Sequence, residues 1–354
     1  MFLFPEKNSF GLDISDLSLR LVQIRKNVKK YTIISYNEMP LPKNVFENGE
    51  IKNIEIISES IKKLASTAKG KKIECNHVIT VLPEAKTFIK LIRVYADNKE
   101  SLPFILGQEL TKHIPFSIDE IYFDWQVMGV FKPRDENNVL IGAAPIETVN
   151  RYIQAIKNSG FIPLALEIES CAITRSLVPM HENLKDDNSG KIIIDMGATR
   201  TGLIVYDKNA VQFTMSLPVS GNEITQRISE KLKLDYKKAE NAKILCGLHE
   251  KKCSGALKKI LMENVNNLVN KIQEAIYFYE ESSGKNNAIK KIILSGGGSQ
   301  LIGLDTILNE KIGLPATYGN PLTNILKVRA SAHFPKNKIQ SFTTAIGLAL
   351  RGSE

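Results

Sequence analysis

Residues 192–214, IIIDMGATRTGLIVYDKNAVQFT, decide the fold because they recur in altered form near the start of the chain. The earlier copy is FGLDISDLSLRLVQIRKNVKKYT, residues 10–32, and Asp13 then falls on Asp195, 182 residues further on. Each copy reads as an apolar strand ending in an aspartate, a polar turn, a second strand, a Lys-Asn turn and a third strand. The repetition predicts two similar α/β halves, with chance similarity of two hairpins as the alternative.

The composition is that of a folded globular chain. A length of 354 residues suggests two domains or one large two-lobed fold. Hydrophobic residues make up 43% and charged residues 24%, which argues against disorder. No two cysteines form a C-x-x-C pair, so we expect buried or inert thiols in a reducing compartment. The cysteines are Cys75, Cys171, Cys246 and Cys253.

The sequence carries no signal of membrane insertion or of several common enzyme classes. We expect no signal peptide, no run of about 18 apolar residues, and no amphipathic membrane tail, and hence a cytoplasmic location. The histidines lack metal-ligand spacing, and the absence of a G-x-x-x-x-G-K-[S/T] loop excludes a P-loop ATPase.

The turn after Asp195 has the composition of a phosphate-binding loop. Gly197 lets the backbone approach a ligand, and successive N–H groups in a tight turn hold phosphate oxygens. A carboxylate beside such a turn suits Mg²⁺, which keeps several waters and is held through one or two carboxylates and phosphates. Asp195 is the first candidate to position Mg²⁺, directly or through water, and Asp13 the second. Since Asp-Gly turns are common in hairpins, a purely structural turn is the alternative.

A glycine-rich turn follows a third apolar strand. Gly296, Gly297 and Gly298 come after the strand Lys291–Leu294 and precede an amphipathic helix that we predict from about Leu301. Three glycines leave no side chains to block a flat ligand or a phosphate. A flexible strand-to-helix connection is the alternative.

Four segments resemble, in chain order, the two phosphate motifs, the adenosine motif and the second connecting helix of the actin-like ATPase superfamily. They are the hairpin after Asp13, Asp195–Thr201, Ser295–Ser299 and Ala345–Arg351. Glu240 and Lys243, on a helix predicted to open near Asp235, resemble the Glu-x-x-Lys pair that contacts the nucleotide ribose and base. The closing segment Ala345–Arg351 resembles the second connecting helix. The resemblance implies a two-lobed actin-like fold, of the duplicated ribonuclease-H-like type, with an inserted small α+β subdomain.

The same resemblance implies that ATP or ADP binds with Mg²⁺ between the lobes. The residues that it places at the nucleotide are Asp13, Ser15, Asp16, Asp195, Gly197, Ala198, Thr199, Arg200, Glu240, Lys243, Gly296, Gly297, Gly298 and Ser299.

The first phosphate loop departs from the superfamily pattern Asp-x-Gly-[Ser/Thr]. Here Ser15 replaces the glycine and Asp16 the hydroxyl residue. An inward carboxylate about 4 Å from a phosphate charge would be repelled by ~4 kcal/mol at an effective dielectric constant of 20. An outward or metal-holding carboxylate would leave the site intact. No general base is identifiable, so we expect at most a weak ATPase.

Within the superfamily, nearly the whole chain resembles the PilM family of type IV pilus assembly. His113–Ser117 with Tyr122–Asp124 resembles the helix-then-strand signature of that family's extra subdomain. Leu217–Thr225 resembles its (I/L)P-x-G-G-N-x-(I/F)T segment. The resemblance implies a cytoplasmic scaffold, peripheral to the inner membrane, that binds the cytoplasmic N-terminal tail of a PilN-like protein.

The groove for that tail is expected beside the inserted subdomain, and the resemblance also allows a contact with the pilus assembly ATPase. Ile114, Phe116 and Ile118 are the groove candidates, with packing in the subdomain core as the alternative. The competing function is an ATP-hydrolysing actin-like protein of FtsA-like cell division or of a type II secretion platform. FtsA carries a C-terminal membrane-binding helix that we do not find here.

Nucleic acid is not expected as a partner. The formal charge of +9 comes from dispersed Lys pairs, without interleaved aromatic residues and with Lys in excess of Arg. The charge excess would assist docking near anionic headgroups or simply keep the surface soluble.

The predicted domain boundaries follow from these motifs. The first lobe is expected at 1–83 and 164–190, with a closing helix near 343–352 packed on it. The inserted subdomain is expected at 84–163, and the second lobe at 191–342, with a helical insertion near 222–262. The predicted subdomain strands are Lys86–Val94, Ile121–Val127, Val139–Ala144 and Leu164–Glu169, with a helix at Ile146–Ser159.

Overall fold

Two mixed β-sheets, one for each copy of the repeat, organise the computed structural model. The structure describes residues 8–27, 30–47, 49–114, 117–179, 189–283, 288–328, 334 and 336–353. The strands are β1 (Ser9–Ile14), β2 (Ser18–Asn27), β3 (Lys30–Pro40), β4 (Phe46–Glu47), β5 (Glu50–Ile51), β6 (Lys69–Gly70), β7 (His77–Leu82), β8 (Phe88–Ala96), β9 (Ile121–Val127), β10 (Asp135–Pro145), β11 (Ile162–Ile168), β12 (Gly190–Met196), β13 (Thr201–Asp207), β14 (Ala210–Leu217), β15 (Ile289–Ser295), β16 (Ala316–Tyr318) and β17 (Lys327–Val328).

The helices lie between and outside these sheets. They are α1 (Ile54–Ser66), α2 (Leu102–Leu110), α3 (Ile146–Asn158), α4 (Glu169–Leu177), α5 (Gly221–Leu232), α6 (Tyr236–Cys246), α7 (Ala256–Ser283), α8 (Leu304–Ile312) and α9 (Thr343–Arg351).

The strand order confirms the predicted duplication. The first sheet contains the run β11-β7-β1-β2-β3, and the second contains the equivalent run β16-β15-β12-β13-β14. In each run the first hairpin is antiparallel, and its leading strand pairs in parallel with the next strand outward. Asp13 lies opposite Arg20, and Asp195 lies opposite Gly202, so the register repeats as well. The two halves therefore bring their leading aspartates to equivalent positions.

Helices cover the outer face of each sheet. In α1, Ile57, Ile61 and Leu64 recur at helical spacing and are buried against the first sheet. The side chain of Asn53 starts this helix by accepting a hydrogen bond from the N–H of Ile56. On the second sheet, α7 buries one apolar stripe, in which Ile276 is partly buried. The fully buried members of that stripe are Val265, Leu268, Val269, Ile272 and Tyr279.

Helices α4 and α9 cross between the two sheets. Every residue of α9 from Thr343 to Leu350 is buried. The crossing is so close that a Cβ atom on Gly347 would lie 1.8 Å from the carbonyl oxygen of Ala172. A buried carboxylate braces the crossing, because Glu167 accepts two hydrogen bonds from Arg175 at 2.7 and 2.6 Å and lies 3.1 Å from Arg351. The two halves are thus joined by backbone contact at one helix pair.

An inserted module interrupts the first half and extends the second sheet. Its strands run in the order β8-β10-β9, and β8 joins β14 where Lys90 pairs with Phe213. Helix α2 covers one face through Leu102, Leu106 and Leu110. We call the unit formed by α2, β8, β9 and β10 the inserted module.

Helix α3 packs on the first half, although it also contacts β9 and β10 of this module. Tyr152 and Ile156 of α3 lie in the same apolar core as Ile57 and Ile61 of α1. Strand β11 pairs in parallel with β7 of the first sheet. We therefore propose that the module ends near residue 145, so that 146–163, which the sequence assigned to it, belong to the first half.

Several element boundaries differ from their predictions. Strand β8 begins at Phe88, not Lys86, because a 3₁₀ turn occupies Glu84–Lys86. Helix α2 ends at Leu110, so Ile114 lies beyond it. Helix α8 begins at Leu304 rather than Leu301, after a 3₁₀ turn at Gly297–Gln300.

The prediction of four inert thiols is wrong for one pair. Cys246 and Cys253 form a disulfide, with their Cα atoms 5.9 Å apart. Helix α6 ends at Cys246, and the following turn brings Cys253 back to it, which the seven-residue spacing did not reveal. Cys75 and Cys171 are free, and burial raises the pKa of the Cys171 thiol to about 12.

None of the helices in the described ranges combines the length and the apolar character needed to cross a bilayer.

Candidate nucleotide site

A cavity of about 600 Å³ lies between the two halves, where the leading strands of both sheets end. Thirteen of the fourteen predicted nucleotide residues line it. They are Asp13, Ser15, Asp16, Asp195, Gly197, Ala198, Thr199, Arg200, Glu240, Lys243, Gly296, Gly297 and Gly298. The exception is Ser299, which is buried and donates a hydrogen bond to the carbonyl of Gly296 at 2.8 Å.

The first loop is a tight turn that ends β1 and begins β2. The N–H of Ser15 donates to the carbonyl of Ser18 at 3.1 Å, and the Ser15 hydroxyl donates to the same oxygen at 2.9 Å. The carboxylate of Asp16 points across the cleft and accepts a hydrogen bond from the hydroxyl of Thr199. Asp16 also accepts from the N–H of Gly49 at 3.3 Å. The Asp16 carboxylate therefore faces the second loop across the cleft.

The second loop, 197–200, is held by the start of α5. The N–H of Gly197 donates to the carbonyl of Arg200 at 2.8 Å and closes the turn. The carbonyls of Gly197 and Ala198 accept from the N–H groups of Gly221 and Asn222 at 3.0 and 2.8 Å. The loop is therefore fixed by backbone hydrogen bonds, leaving the Thr199 hydroxyl directed at Asp16.

The glycine-rich turn packs directly on the end of β12. Gly296 has a φ of +80°, and a Cβ atom there would lie 2.4 Å from the carbonyl oxygen of Met196. A Cβ atom on Gly298 would lie 2.7 Å from the Met196 side chain. Gly297 borders the cavity near Ser341. Two of the three glycines are thus required by close backbone packing, and not only by space for a ligand.

Glu240 and Lys243 form a short ion pair at the mouth of the cavity. The Lys243 Nζ lies 2.7 Å from Glu240 Oε2 and donates to the carbonyl of Gly221 at 2.9 Å. It also donates to the hydroxyl of Thr225 at 2.7 Å. As expected from its N-cap, α6 opens at Asp235, whose side chain accepts from the N–H of Lys238. The pair therefore lies beside the second loop.

Besides Asp16 and Glu240, four carboxyl groups border the cavity, two of them unpredicted. Asp13 and Asp195 are joined there by Glu84 and Glu169. Burial raises the pKa of Asp13 to about 7, although Arg20, 3.5 Å away, acts to lower it. Burial likewise raises the pKa of Glu84 and of Asp195 to about 7, and the nearby Glu169 adds to both effects. A cation or a ligand donor in the cavity would favour their ionised forms.

The residues present fit a Mg²⁺ ion held mainly by water and phosphate. Carboxylate oxygens of Asp13 and Asp195 are hard donors of the type that Mg²⁺ prefers. In the part of the chain that the structure describes, no three His, Cys, Asp or Glu side chains converge tightly enough to hold a metal ion. A Mg²⁺ ion would consequently complete its coordination with water and with the phosphates it accompanies.

A buried acceptor is also available to a ligand. Gln340 lines the cavity, and its Nε2 donates to the carbonyl of Gly319 at 2.6 Å. Its Oε1 atom is buried and accepts no hydrogen bond from the described residues. A ligand hydroxyl or amino group, or a water, would satisfy this oxygen.

Strand pairing determines the positions of Arg20, Glu84 and Glu169, which line the cavity but were not predicted. Arg20 lies opposite Asp13 across a two-residue hairpin turn. Glu84 and Glu169 follow the parallel strands β7 and β11 at their carboxyl ends. Since the carboxyl ends of parallel strands meet at one edge of a sheet, acids placed just after them converge. The sequence did not reveal that β7 pairs with β1 and that β11 pairs with β7.

The duplicated sheets and the cleft between them define an actin-like protein. Among solved structures, MreB5 of Spiroplasma citri bound to ADP is 13% identical with a TM-score of 0.58, covering 98% of this chain and 96% of that chain. At this identity the likeness shows the fold. It confirms the predicted two-lobed actin-like architecture.

The family follows from a match over almost the whole chain. The family model described as type IV pilus assembly protein PilM matches residues 11–353. The chain therefore belongs to the PilM family, as its sequence had indicated.

Two further proteins are similar to this chain. A chain of the PilM–PilN type IV pilus biogenesis complex is 22% identical with a TM-score of 0.83, covering 99% of this chain and 100% of that chain. The cell division protein FtsA of Borreliella burgdorferi is 24% identical over 306 residues, covering 81% of this chain and 69% of that protein.

The raised pKa values predict how stability depends on pH. In the folded chain the pKa values of Asp13, Glu84 and Asp195 are about 7, above their ordinary values of 3.8 to 4.5. Stabilisation by the protonated carboxyl groups is complete below the ordinary values and is lost as pH rises through about 7. We expect the free energy of unfolding without nucleotide to fall by a few kcal/mol, as an order of magnitude, between about pH 5 and pH 8.

Urea denaturation across this pH range measures the effect. Asp195→Asn removes one of the three groups, so its stability should fall less steeply with pH than that of the unaltered chain. A free energy of unfolding that stays level or rises over the same range would contradict the assignment of raised pKa values.

Proposed function

We propose that this chain is a nucleotide-binding scaffold of the type IV pilus assembly platform. In this proposal it binds ATP or ADP with Mg²⁺ in the cleft and the cytoplasmic tail of a PilN-like inner-membrane protein beside the inserted module. One observation carries the proposal: the residues of four separate motifs line a single cavity between the halves of a PilM-family chain.

The nucleotide would lie with its nucleoside end near the Glu240–Lys243 pair. Its phosphates would then run along the second loop, whose glycine and backbone N–H groups suit phosphate oxygens. Asp13 and Asp195 would hold Mg²⁺ through water and phosphate, where bound Mg²⁺ would neutralise phosphate charge. Support for a nucleotide comes from actin-like MreB5 of Spiroplasma citri, whose solved structures include ADP and AMPPNP complexes.

Hydrolysis is proposed to be weak at most. Glu84 and Glu169 reach the cavity and are the groups available to orient a water. With a pKa of about 7, Glu84 is protonated in about half of the chains at neutral pH, and that half cannot accept a proton. The Asp16 carboxylate also stands between the two loops, where phosphates would approach.

The partner proposal rests on the inserted module and on the relative that was solved with PilN. Ile114 and Ile118 are each half-buried and pack against the core of the module, so part of each side chain remains exposed. Phe116, the third groove candidate, lies outside the described residues. A short extended tail would dock on such a surface with apolar anchors. The chain would then sit at the cytoplasmic face of the inner membrane through its partner.

Calorimetric titration with a peptide and thermal denaturation with nucleotide test the two parts of the proposal. We expect a synthetic peptide of the cytoplasmic N-terminal tail of the PilN homologue from the same genome to bind the full chain with micromolar affinity. Ile114→Ser and Ile118→Ser should weaken this binding about tenfold, because each removes an apolar anchor worth about 1.4 kcal/mol. MgADP and MgATP should each raise the melting temperature, since both bind the folded state.

Val130→Ser is the matched control for the peptide, because Val130 is 86% exposed at the far tip of the module. Its affinity for the peptide should equal that of the unaltered chain. Absence of binding heat and of a thermal shift with the peptide would overturn the scaffold role. Absence of a shift with millimolar nucleotide would overturn the nucleotide site.

A further inference from the structure

Asp16 is the residue at which the first loop departs from the superfamily pattern, and it makes a contact that joins the two halves. Its carboxylate accepts a hydrogen bond from the Thr199 hydroxyl of the second loop. On its other side it accepts from the N–H of Gly49 at 3.3 Å, in the first half. We call these two hydrogen bonds the cross-cleft bridge.

The donors of the cross-cleft bridge are those that bind phosphate. A hydroxyl and a backbone N–H beside a glycine-containing turn are typical donors to phosphate oxygens. The Asp16 carboxylate supplies two anionic oxygens to this donor set, as a phosphate would. The Asp16 carboxylate therefore binds to these donors in the way that a phosphate group of a ligand would.

With the nucleoside end at Lys243, as proposed above, contacts within the protein trace a path from Lys243 to Asp16. Lys243 donates to the carbonyl of Gly221, and Gly221 in turn contacts the carbonyl of Gly197. From Gly197 the loop leads through Ala198 to Thr199, which reaches Asp16. A ligand with its nucleoside end at Lys243 would thus extend its phosphates along the second loop and bring the last of them to Asp16.

We infer that Asp16 makes the cleft select a nucleoside diphosphate over a nucleoside triphosphate and holds the two loops together when no nucleotide is bound. The inference rests on the proposed nucleotide site. A triphosphate must displace the carboxylate from the cross-cleft bridge or accept a like charge beside its terminal phosphate. A diphosphate ends before that position and leaves the cross-cleft bridge in place.

The test compares the dissociation constants of MgADP and MgATP for the unaltered chain, Asp16→Asn and Asp16→Ser. The unaltered chain should bind MgADP about tenfold or more tightly than MgATP, because a like charge disfavours the longer ligand. Asp16→Asn keeps the shape of the side chain but removes its charge, and Asp16→Ser removes the charge and also shortens the side chain. In both variants the affinity for MgATP should rise about tenfold, whereas that for MgADP should change less than about threefold.

Glu310→Gln is the matched control, because it removes one negative charge at an exposed position of α8 outside the cavity. It should bind both nucleotides as the unaltered chain does. The inference is overturned, while the nucleotide site stands, if the ratio of the MgADP to the MgATP dissociation constant is the same in the unaltered chain and in both Asp16 variants. If no variant binds either nucleotide, the proposed site itself fails, and the inference with it. Melting curves of the free variants establish that each is folded.

Discussion

Gly347→Ala is expected to abolish the two-lobed fold. The new Cβ atom would lie 1.8 Å from the carbonyl oxygen of Ala172 and 2.5 Å from its carbonyl carbon. Neither helix can retreat, because α9 is buried against the first sheet and α4 packs on the second through Ile173 and Leu177. Overpacking of backbone against backbone should cost more than about 4 kcal/mol, beyond the usual range for a single substitution.

Urea denaturation and yield of folded protein measure this loss. Gly107→Ala is the matched control, since Gly107 lies within α2 and a Cβ atom there meets only the side chain of Ile118 at 4.0 Å. The control should be neutral or slightly stabilising, because alanine restricts the unfolded chain. A Gly347→Ala protein as stable as the control would refute the closeness of the helix crossing.

Arg175→Ala should have the second largest effect. Glu167 is only 7% exposed, and Arg175 provides two of its hydrogen bonds and also donates to the carbonyl of Gly347 at 3.3 Å. Without Arg175, the ion-pair partner that this buried carboxylate retains among the described residues is Arg351, which is itself 38% exposed. Removing one member of a buried ion pair costs about 3–5 kcal/mol, and the remaining arginine places this case near the lower end.

The comparison with an exposed pair makes this test specific. Arg151→Ala breaks the surface pair of Arg151 with Glu147, which should cost less than about 1 kcal/mol. Adding Glu167→Gln to Arg175→Ala should recover part of the lost free energy of unfolding, because no uncompensated charge then remains buried. Equal losses for Arg151→Ala and Arg175→Ala would show that the Glu167 network adds no stability.

The sequence revealed the repeat because both copies had to build the same hairpin. Strands buried on both faces read as continuous apolar runs, so Ile192–Ile194 and its counterpart were visible by composition alone. Asp13, Asp195 and Gly197 were visible because they interrupt these apolar runs. Their positions in the fold then follow from the strand order.

The remaining site residues depend on pairings between distant segments. Glu84 and Glu169 reach the cleft because β7 lies beside β1, and β11 beside β7, in the first sheet. The proposed placement of α3 in the first half depends on its packing against α1, which no local pattern encodes. The direction of the Asp16 side chain depends on Thr199, 183 residues away, so only the assembled cleft determines it.

The junction between β8 and β14 has a mechanical consequence. Their register contains one pair, Lys90 with Phe213, whereas β8 and β10 are paired over nine residues from Ala96 to Phe88. Under tension the backbone hydrogen bonds of that junction, worth about 1 kcal/mol each, would yield before those inside the module. The module would then remain attached through the apolar packing of Ile89 and Leu140 against the second half and through the two chain segments that join it to the first half.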